Sequence, residues 1–411
     1  MATDKKHKIP NAPNLRFPEF EGMYMTVKVG QITSKVGSGV TPKGGNSVYT
    51  QNGHPFVRSQ NVGNGHMILS DIAYIDNATH NRQISTEIKA GDVLLNITGA
   101  SIGRCCIASP SVVGGNVNQH VCIIRATERI LPDYLSFLLL SDIGQTQIDS
   151  FQAGGNRQGL NYEQIRSFKF SIPSLEEQTK VSALLILLEK RIQTQIGAIE
   201  KLQSLISTLN DKLQFQYCNE VNLSFSEIGN DYSGLSGKSA NDFGRGKPYI
   251  PYTNVYANTF VDDNQFDLVE INEGEHQCRV LHGDVLFTLS SEVPEEVCVG
   301  SVYLGNEKEL YLNSFCFGVH INSNKIHSPY LAYFVKSSLF RRAVYPLAQG
   351  STRFNLHKSD FLKRKFSFPN IEHQIKIATV LMAIDSKLAI EQKLLEQFKL
   401  QKQYLLSQMF V

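Results

Sequence analysis

The sequence predicts an α+β protein in which two globular domains in tandem repeat are separated by two long antiparallel coiled-coil helices. The first observation is that residues 175–215 and 371–411 both carry apolar residues at alternating steps of four and three. The second is that the whole pattern recurs after 192 to 196 residues. The predicted order is a globule at 1–174, a helix at 175–217, a globule at 218–370 and a helix at 371–411.

The first long helix is predicted from an uninterrupted heptad pattern. Residues 175–215 contain no proline, and Gly197 is their single glycine. At 1.5 Å per residue such a helix is roughly 60 Å long, so it needs a partner to cover its apolar stripe. The residues that we expect at the helix–helix and subunit interface are Val181, Leu185, Leu188, Ile192, Ile199 and Leu202.

The second long helix repeats the first at an offset of 196 residues. Pro173-Ser174 and Pro369-Asn370 precede the two helices, and each pair places an N-capping residue directly before the first turn. Two unrelated amphipathic surface helices are the alternative, but they would not share both the seam and the start. The corresponding interface residues are Ile377, Leu381, Ile384, Leu388 and Leu395.

The globular regions consist of short apolar runs broken by Gly and Asn, which is typical of strands. Residues 53–62 align with 246–255, and residues 91–94 align with 283–286. Between these aligned stretches the two halves differ. This combination predicts one scaffold that carries two different recognition surfaces.

The composition excludes several classes of protein. Apolar residues make up 42% and charged residues 19% of the chain, with a net charge of only +2, so any basic face must be local. Residues 336–365 form such a local basic segment. The seven cysteines contain no CxxC pair, which predicts reduced thiols in a cytoplasmic protein and no metal site. No apolar run is long enough to cross a membrane, so no membrane partner is expected.

Several motifs together resemble the specificity (S) subunit of Type I restriction-modification systems. The first half carries Pro-Asn-Leu-Arg-Phe-Pro-Glu-Phe at 13–20, Pro-Phe-Val-Arg-Ser-Gln-Asn-Val at 55–62, the stretch 91–103, and Asn-Gln-His-Val at 118–121. The two proline-led helix starts complete the resemblance, which covers nearly the whole chain.

The resemblance implies two target-recognition domains that each read one half of a bipartite site in double-stranded DNA. It also implies that the helical pair sets the gap between the half-sites and docks two modification subunits, which methylate adenine. Restriction subunits join in the full complex. No cofactor is expected in this chain; S-adenosylmethionine, ATP and Mg are expected on the partner subunits.

Candidate DNA-contacting residues lie in short polar stretches next to the predicted strands. Gln and Asn can pair bidentately with adenine, and Arg with guanine. In the first half they are Arg58, Ser59, Gln60, Asn61, Arg104, Asn118, Gln119, His120, Asn156, Arg157 and Gln158. In the second half they are Arg245, Thr253, Asn254, Thr352 and Arg353.

These stretches also have structural alternatives. Residues 58–61 could be a polar turn that satisfies its own backbone, and residues 118–120 a buried polar cluster. Residues 154–159 combine glycines with a cation, which favours close approach to DNA over an ordinary surface loop. The second half has Leu-Phe-Thr-Leu-Ser-Ser-Glu at 286–292 in place of the first half's 95–103 motif, so contacts cannot be transferred between halves.

The sequence offers no catalytic motif, and we expect a non-catalytic chain. The stretch 99–104 lacks the spacing and the lysine of a phosphate-binding loop. Asp284 could pair with Glu292 in a nuclease site, but Asp284 follows Gly283 as Asp92 follows Gly91, which favours a turn. The alternatives are a structural coiled-coil adaptor that binds proteins and an enzyme that uses loop 96–103 for a phosphorylated ligand.

Overall fold

The computed structural model describes residues 11–152, 159–217 and 220–411. These residues form two compact units. Unit 1 consists of the described residues of 1–197 and 393–411, and unit 2 consists of those of 198–392. Both long helices cross the boundary between the units, so each unit contains a globule and one part of each helix.

The first globule and the helix after it supply nine strands and six helices from the described residues. They are β1 (Met25–Lys28), α1 (Val29–Ile32), β2 (Thr33–Ser38), β3 (His54–Val57), β4 (Ala73–Ile75), α2 (Asn77–Arg82), β5 (Val93–Asn96), β6 (Cys105–Ile107), β7 (Asn116–Val117), β8 (Val121–Ala126), α3 (Pro132–Leu140), α4 (Asp142–Ser150), α5 (Tyr162–Ser167), β9 (Lys169–Ile172) and α6 (Leu175–Tyr217).

Unit 1 is built on three small sheets. A four-stranded antiparallel sheet has the order β2-β8-β5-β6, and a three-stranded sheet has the order β4-β3-β7. In the second sheet β3 is antiparallel to β4 and parallel to β7. The short antiparallel pair β1-β9 joins the two ends of the globule. Met25 lies opposite Ile172, shortly before α6 begins.

The second globule and its helix follow the same plan. Their elements are β10 (Val221–Ser224), α7 (Phe225–Ile228), β11 (Gly229–Ser233), β12 (Phe243–Ile250), α8 (Tyr252–Ala257), β13 (Asp267–Val269), β14 (Val285–Thr288), β15 (Ser290–Ser291), β16 (Gly300–Val302), β17 (Tyr311–Leu312), β18 (Cys316–Ile321), α9 (Ser328–Phe334), α10 (Ser338–Val344), β19 (Ala348–Gln349), β20 (Phe354–Leu356), α11 (Lys358–Lys363), β21 (Lys365–Phe368) and α12 (Ile371–Gln408).

The sheets of unit 2 repeat those of unit 1 strand for strand. The four-stranded sheet β11-β18-β14-β16 corresponds to β2-β8-β5-β6, and β13-β12-β17 corresponds to β4-β3-β7. The pair β10-β21 again closes the globule, with Val221 opposite Phe368. Unit 2 adds one sheet, β15-β20-β19, that unit 1 lacks among its described residues. The predicted duplication of the scaffold is therefore confirmed.

A buried glutamine repeats at the start of both long helices. Gln178 donates to the carbonyl of Pro173 at 3.0 Å and accepts from the backbone N–H of Leu131 at 2.9 Å. Gln374 makes the same bonds to Pro369 at 2.8 Å and to His327 at 2.9 Å. Each glutamine thus ties its long helix to the helix of the globule that packs beside it. Neither residue follows from a heptad pattern.

The long helices run antiparallel, as the sequence predicts. In unit 1 the beginning of α6 shares its core with the end of α12, for example Leu185 with Leu405 and Met409. In unit 2 the end of α6, at Leu209 and Leu213, packs against the core that contains the beginning of α12. The buried seam residues are Val181, Leu185, Leu188, Ile192, Ile199, Ile377 and Leu381, and Leu202, Ile384, Leu388 and Leu395 are partly buried.

One position of the apolar seam of the second long helix is occupied by a lysine, and its charge is paired. Lys402 occupies the position that Ile206 has in the first helix, and its side chain is only 12% exposed. The ammonium binds the Glu189 carboxylate and donates to the carbonyl of Asn64 at 2.9 Å. Burial alone would raise the pKa of Glu189, but the hydrogen bond to His66 and the charge of Lys402 lower it to about 2.

No helix in the described part of the chain is long and apolar enough to cross a membrane.

Candidate nucleic-acid interface

Asn61 holds a turn rather than facing solvent. The residue is fully buried, and its amide donates to the carbonyls of Ile68 at 3.1 Å and Asp71 at 3.0 Å. Its carbonyl oxygen accepts from the backbone N–H of Arg58 at 2.9 Å. Satisfied buried amides of this kind fix local backbone geometry. We therefore remove Asn61 from the surface that could contact a base.

Asn254 has the same role in unit 2. It is fully buried and donates to the carbonyls of Asp262 at 2.9 Å and Gln265 at 3.1 Å. The structure thus contradicts the expectation that Asn254 is available to DNA. The sequence did contain a signal for this structural role. The same asparagine occurs in both halves although their surroundings differ, and a residue that reads a specific base need not recur.

The neighbours of Asn61 remain accessible. Arg58 donates to the Asp71 carbonyl and carboxylate, both at 3.0 Å, and its guanidinium lies 5.6 Å from the Tyr49 ring centroid. Gln60 is exposed and donates to the same carboxylate. Asp71 is 69% exposed, and exposed ion pairs contribute only about 0–1 kcal/mol. Gln60 can therefore exchange Asp71 for a nucleic acid at little cost, whereas Arg58 is only 23% exposed and would also give up its bond to the Asp71 carbonyl.

The stretch 118–120 divides into a buried and an exposed part. Asn118 is buried and accepts from the backbone N–H of His120 at 3.0 Å, which defines a turn. His120 Nδ1 lies 2.6 Å from Thr98 Oγ1, and Gln119 is exposed. Asn118 thus follows the buried-polar alternative, whereas Gln119 and part of His120 reach the surface.

The remaining first-half candidates are Arg104 and residues 156–158. Arg104 is exposed directly before β6. Asn156, Arg157 and Gln158 lie outside the described residues. The described residue that follows them, Gly159, forms an isolated bridge with Thr98, which also contacts His120. Thr98 therefore contacts both Gly159 and His120.

Arg353 and Thr352 lie in the tight turn between β19 and β20. Gly350 has φ +146°, and a Cβ there would lie 2.1 Å from the Arg353 carbonyl oxygen, so only glycine fits this turn. Arg353 is exposed, donates to Ser290 Oγ at 3.2 Å, and lies 5.3 Å from the centroid of Phe315. Thr352 is exposed beside it. Both residues face a depression in unit 2.

This depression, which we call the aromatic depression, has a volume of about 740 Å³. Its lining residues are Tyr252, Tyr256, Ser290, Ser291, Glu292, Val293, Glu296, Phe315, Thr352 and Arg353. Only the last two were DNA-contact candidates from the sequence. A position-by-position comparison of the halves would have singled out Tyr252, Tyr256 and Phe315, which replace Ser59, Gly63 and His120.

The other second-half candidates lie outside the lining of the aromatic depression. Arg245 is 70% exposed on β12 and binds Glu270 at 2.7 Å. Thr253 is exposed on α8, beside Tyr252. The structure therefore does not bring Arg245 and Arg353 together into one described site.

The basic segment 336–365 is less available than its charge suggests. Lys336 is largely buried, and burial lowers its pKa to about 8. Arg341 donates to the carbonyls of Val297 at 2.7 Å and Cys298 at 2.8 Å. These two cations hold the fold of unit 2, which reduces the part of the segment that can meet a phosphate backbone.

Asp284 belongs to the scaffold, as the turn interpretation predicts. Its carboxylate accepts from the Tyr232 hydroxyl and the backbone N–H of Leu281, both at 2.8 Å, and lies 2.9 Å from His320 Nδ1. Burial raises the pKa of Asp284. Asp92 is bound by Arg125 at 2.7 Å in the equivalent position of unit 1. No group of three or more potential metal ligands occurs among the residues that the structure describes.

The family model described as "Type I restriction modification DNA specificity domain" matches residues 21–203 and 237–400. Together these segments cover well over half of the chain. The chain belongs to this family. The match confirms the resemblance seen in the motifs and favours DNA specificity over a coiled-coil adaptor. Each matched segment contains most of one globule and most of the long helix after it, so the repeating piece is a domain plus its helix.

Individual relatives agree with the family. The chain is 21% identical over 364 residues to a protein named as the MjaX specificity subunit of a type I restriction enzyme from Methanocaldococcus jannaschii, covering 81% of this chain and 80% of that one. The S subunit of a Type I restriction-modification system from M. genitalium shares the fold with TM-score 0.58 and 13% identity, covering 97% and 99%. A chain from a structure of type I R-M complex assembly gives TM-score 0.56, 17% identity, 93% and 96%.

Proposed function

We propose that this protein is the DNA specificity subunit of a Type I restriction-modification complex, in which each unit reads one half of a bipartite DNA site. The observation that carries this proposal is a duplicated scaffold with different, at least partly exposed residues at equivalent places. Ser59 and Tyr252 occupy one such position, and His120 and Phe315 another. Different side chains on the same frame are what two different half-sites require.

The long helices set the gap between the half-sites. α6 has 43 residues and α12 has 38, so they extend over about 65 Å and 57 Å at 1.5 Å per residue. Their shared register keeps both seams in phase along this length.

The same helices dock two modification subunits. Support comes from exposed apolar side chains at equivalent positions, Leu184 at 36% and Val380 at 47% exposure, together with Leu187 at 67%. Apolar side chains that remain exposed close together indicate a contact surface. The modification subunits would supply S-adenosylmethionine and methylate adenine, and restriction subunits would supply the ATP- and Mg-dependent step.

The chain itself would recognise DNA without catalysing a reaction. Asp284, one of the two acidic residues that a nuclease pair would need, is occupied by structural hydrogen bonds. The purified chain should therefore show no ATPase, nuclease or methyltransferase turnover after the partner subunits have been removed.

Long-read sequencing of methylated adenines tests the proposal directly. Cells that carry the gene should show a bipartite methylated motif, and deletion of this gene alone should abolish it. Re-expression of the chain should restore the same motif. A methylome that does not change on deletion would contradict the proposed function.

A further inference from the structure

We propose that the aromatic depression of unit 2 is a base-reading site in which Glu296 accepts a hydrogen bond from an exocyclic amino group, the N4 amino group of cytosine or the N6 amino group of adenine. This proposal rests on DNA recognition by unit 2. It assigns a specificity-determining role to residues that no sequence motif identifies. Its parts are the position of Glu296, the aromatic walls and the opposite charge of Arg353.

Glu296 is held in place but retains accepting capacity. Ser291 Oγ donates to its Oε2 at 3.1 Å. The Glu296 carboxylate also raises the pKa of the neighbouring Tyr256 hydroxyl. A carboxylate has about four lone-pair sites, so the donor from Ser291 leaves capacity for an N–H group of a ligand. The contact with Ser291 fixes the direction in which this capacity points.

A carboxylate on a DNA-binding surface is unfavourable unless it makes a specific contact with a base. Phosphates repel it, and the acceptor-rich edges of guanine and thymine offer it no amino group in the major groove. Cytosine N4 and adenine N6 are the base amino groups that donate in the major groove. A positioned glutamate therefore selects an amino-bearing base and rejects one with an acceptor at that point.

The walls of the depression suit a base edge. The rings of Tyr252 and Tyr256 lie 6.0 Å apart at 15°, and the Tyr252 hydroxyl is held by the Ser290 carbonyl at 2.8 Å. Phe315 is 54% exposed and carries the Arg353 guanidinium 5.3 Å from its ring centroid. Rigid aromatic and arginine side chains are the residue types that most often dominate binding interfaces.

Arg353 and Glu296 present opposite charges within one depression. Arginine pairs bidentately with guanine O6 and N7, whereas glutamate accepts from cytosine N4. The two side chains together can therefore read both bases of a G·C pair. If adenine is the amino-bearing base, Arg353 instead contacts a neighbouring guanine or a phosphate.

The test starts from the complete methyltransferase with Glu296→Ala. Glu295→Ala is the matched control, because Glu295 is exposed and does not line the depression. Methylome sequencing should show one degenerate position in one half-site for Glu296→Ala and an unchanged motif for Glu295→Ala. The other half-site should stay intact, which reports that the variant is folded. An unchanged motif in Glu296→Ala would overturn the proposal.

Modified DNA then tests the amino group itself. At the degenerate position, cytosine is replaced by zebularine or adenine by nebularine, which lack the N4 or N6 amino group. The wild-type complex should lose roughly 5-fold to 150-fold in affinity, the range for one good base contact. Glu296→Ala should lose almost nothing further. Equal losses in both proteins would refute the contact.

The two failures can be told apart. Suppose that Glu296→Ala and wild type methylate the same motif, and that deletion of the gene still abolishes methylation. Only the role assigned to Glu296 is then wrong. If deletion leaves the methylome unchanged, the proposed function itself falls.

Discussion

Lengthening both long helices by one heptad should widen the gap between the half-sites. The boundary between the units crosses α6 after Gly197 and α12 after Gln392. Insertions at these two points leave all contacts inside each unit in place, including the core that Leu185 shares with Leu405 and the ion pair of Glu189 with Lys402. Seven residues continue each seam in phase, because the heptad is the repeat of the pattern.

The expected change follows from helix geometry. Seven residues add about 10 Å at 1.5 Å per residue, and DNA rises about 3.4 Å per base pair. The gap should therefore grow by up to about three base pairs. Seven residues turn a helix by almost two full turns, so the two ends of each helix keep nearly the same rotation. Three base pairs rotate the DNA by about 100°, so we expect weaker binding as well.

Methylome sequencing of cells with the doubly extended chain measures the outcome. Both half-site sequences should stay the same while the number of unspecified base pairs rises. A heptad inserted in α6 alone is the control. It makes α6 seven residues longer relative to α12, so the two helices cannot keep their contacts in both units, and we expect no complex to form. An active, doubly extended variant that methylates only the original spacing would refute the reasoning.

Three further substitutions test single residues. Asn254→Ala should destabilise unit 2 by about 1–3 kcal/mol in denaturant unfolding, because it removes two hydrogen bonds that the buried amide donates to the carbonyls of Asp262 and Gln265; an unchanged midpoint would show that the amide is dispensable. Glu189→Gln should weaken the dependence of the free energy of unfolding on pH below about 4.5. The pKa of this carboxyl is lowered, so its contribution to stability is complete above about pH 4.5 and is lost as the pH falls towards 2. Lowering the pKa from 4.5 to about 2 is equivalent to about 3 kcal/mol, and solvent screening of this partly exposed carboxyl reduces that value. Wild type and variant should therefore differ by about 2 kcal/mol at neutral pH and converge near pH 2; a constant difference would contradict this. Arg353→Ala should change the half-site of unit 2 alone: if Arg353 reads guanine, one position relaxes at a cost of about 1–3 kcal/mol, and if it binds phosphate, affinity falls evenly and the salt slope shrinks by about one. Binding by the complete methyltransferase at several salt concentrations separates these cases, and no change in either quantity would remove Arg353 from the site.

The architecture was predictable because its signals are local. A heptad seam, a proline and an N-capping residue mark the helices that begin at Leu175 and Ile371. The repeat then pairs them, since each helix needs a partner and the second has the same seam. Lys402 is harder to interpret from sequence, because its partner Glu189 lies more than 200 residues away.

The candidate interface was only partly predictable. It depends on which polar side chains are used in hydrogen bonds within a turn and which remain at the surface. Asn61 and Gln60 are adjacent and chemically alike, yet the first is fully buried and the second exposed. The aromatic depression combines segments around residues 254, 293, 315 and 352, and nothing in their spacing predicts that they meet. Sequence patterns specify a scaffold more readily than the surface that the scaffold assembles.

An exchange of globules is possible because both are closed by equivalent strands. Met25 pairs with Ile172, and Val221 pairs with Phe368, so residues 25–172 and 221–368 begin and end on matching positions of the two ladders. Replacing residues 221–368 by a second copy of 25–172 keeps the chain length and both long helices. The product carries the same recognition surface twice.

The methylome of cells with this duplicated chain tests most directly the claim that each globule reads its own half-site. Because α6 and α12 run antiparallel, two identical globules are expected to read identical half-sites on opposite strands. The methylated motif should therefore become an inverted repeat of the unit 1 half-site with the gap unchanged. The reverse exchange should give an inverted repeat of the other half-site. An active duplicated chain that still methylates the original asymmetric motif would contradict the account.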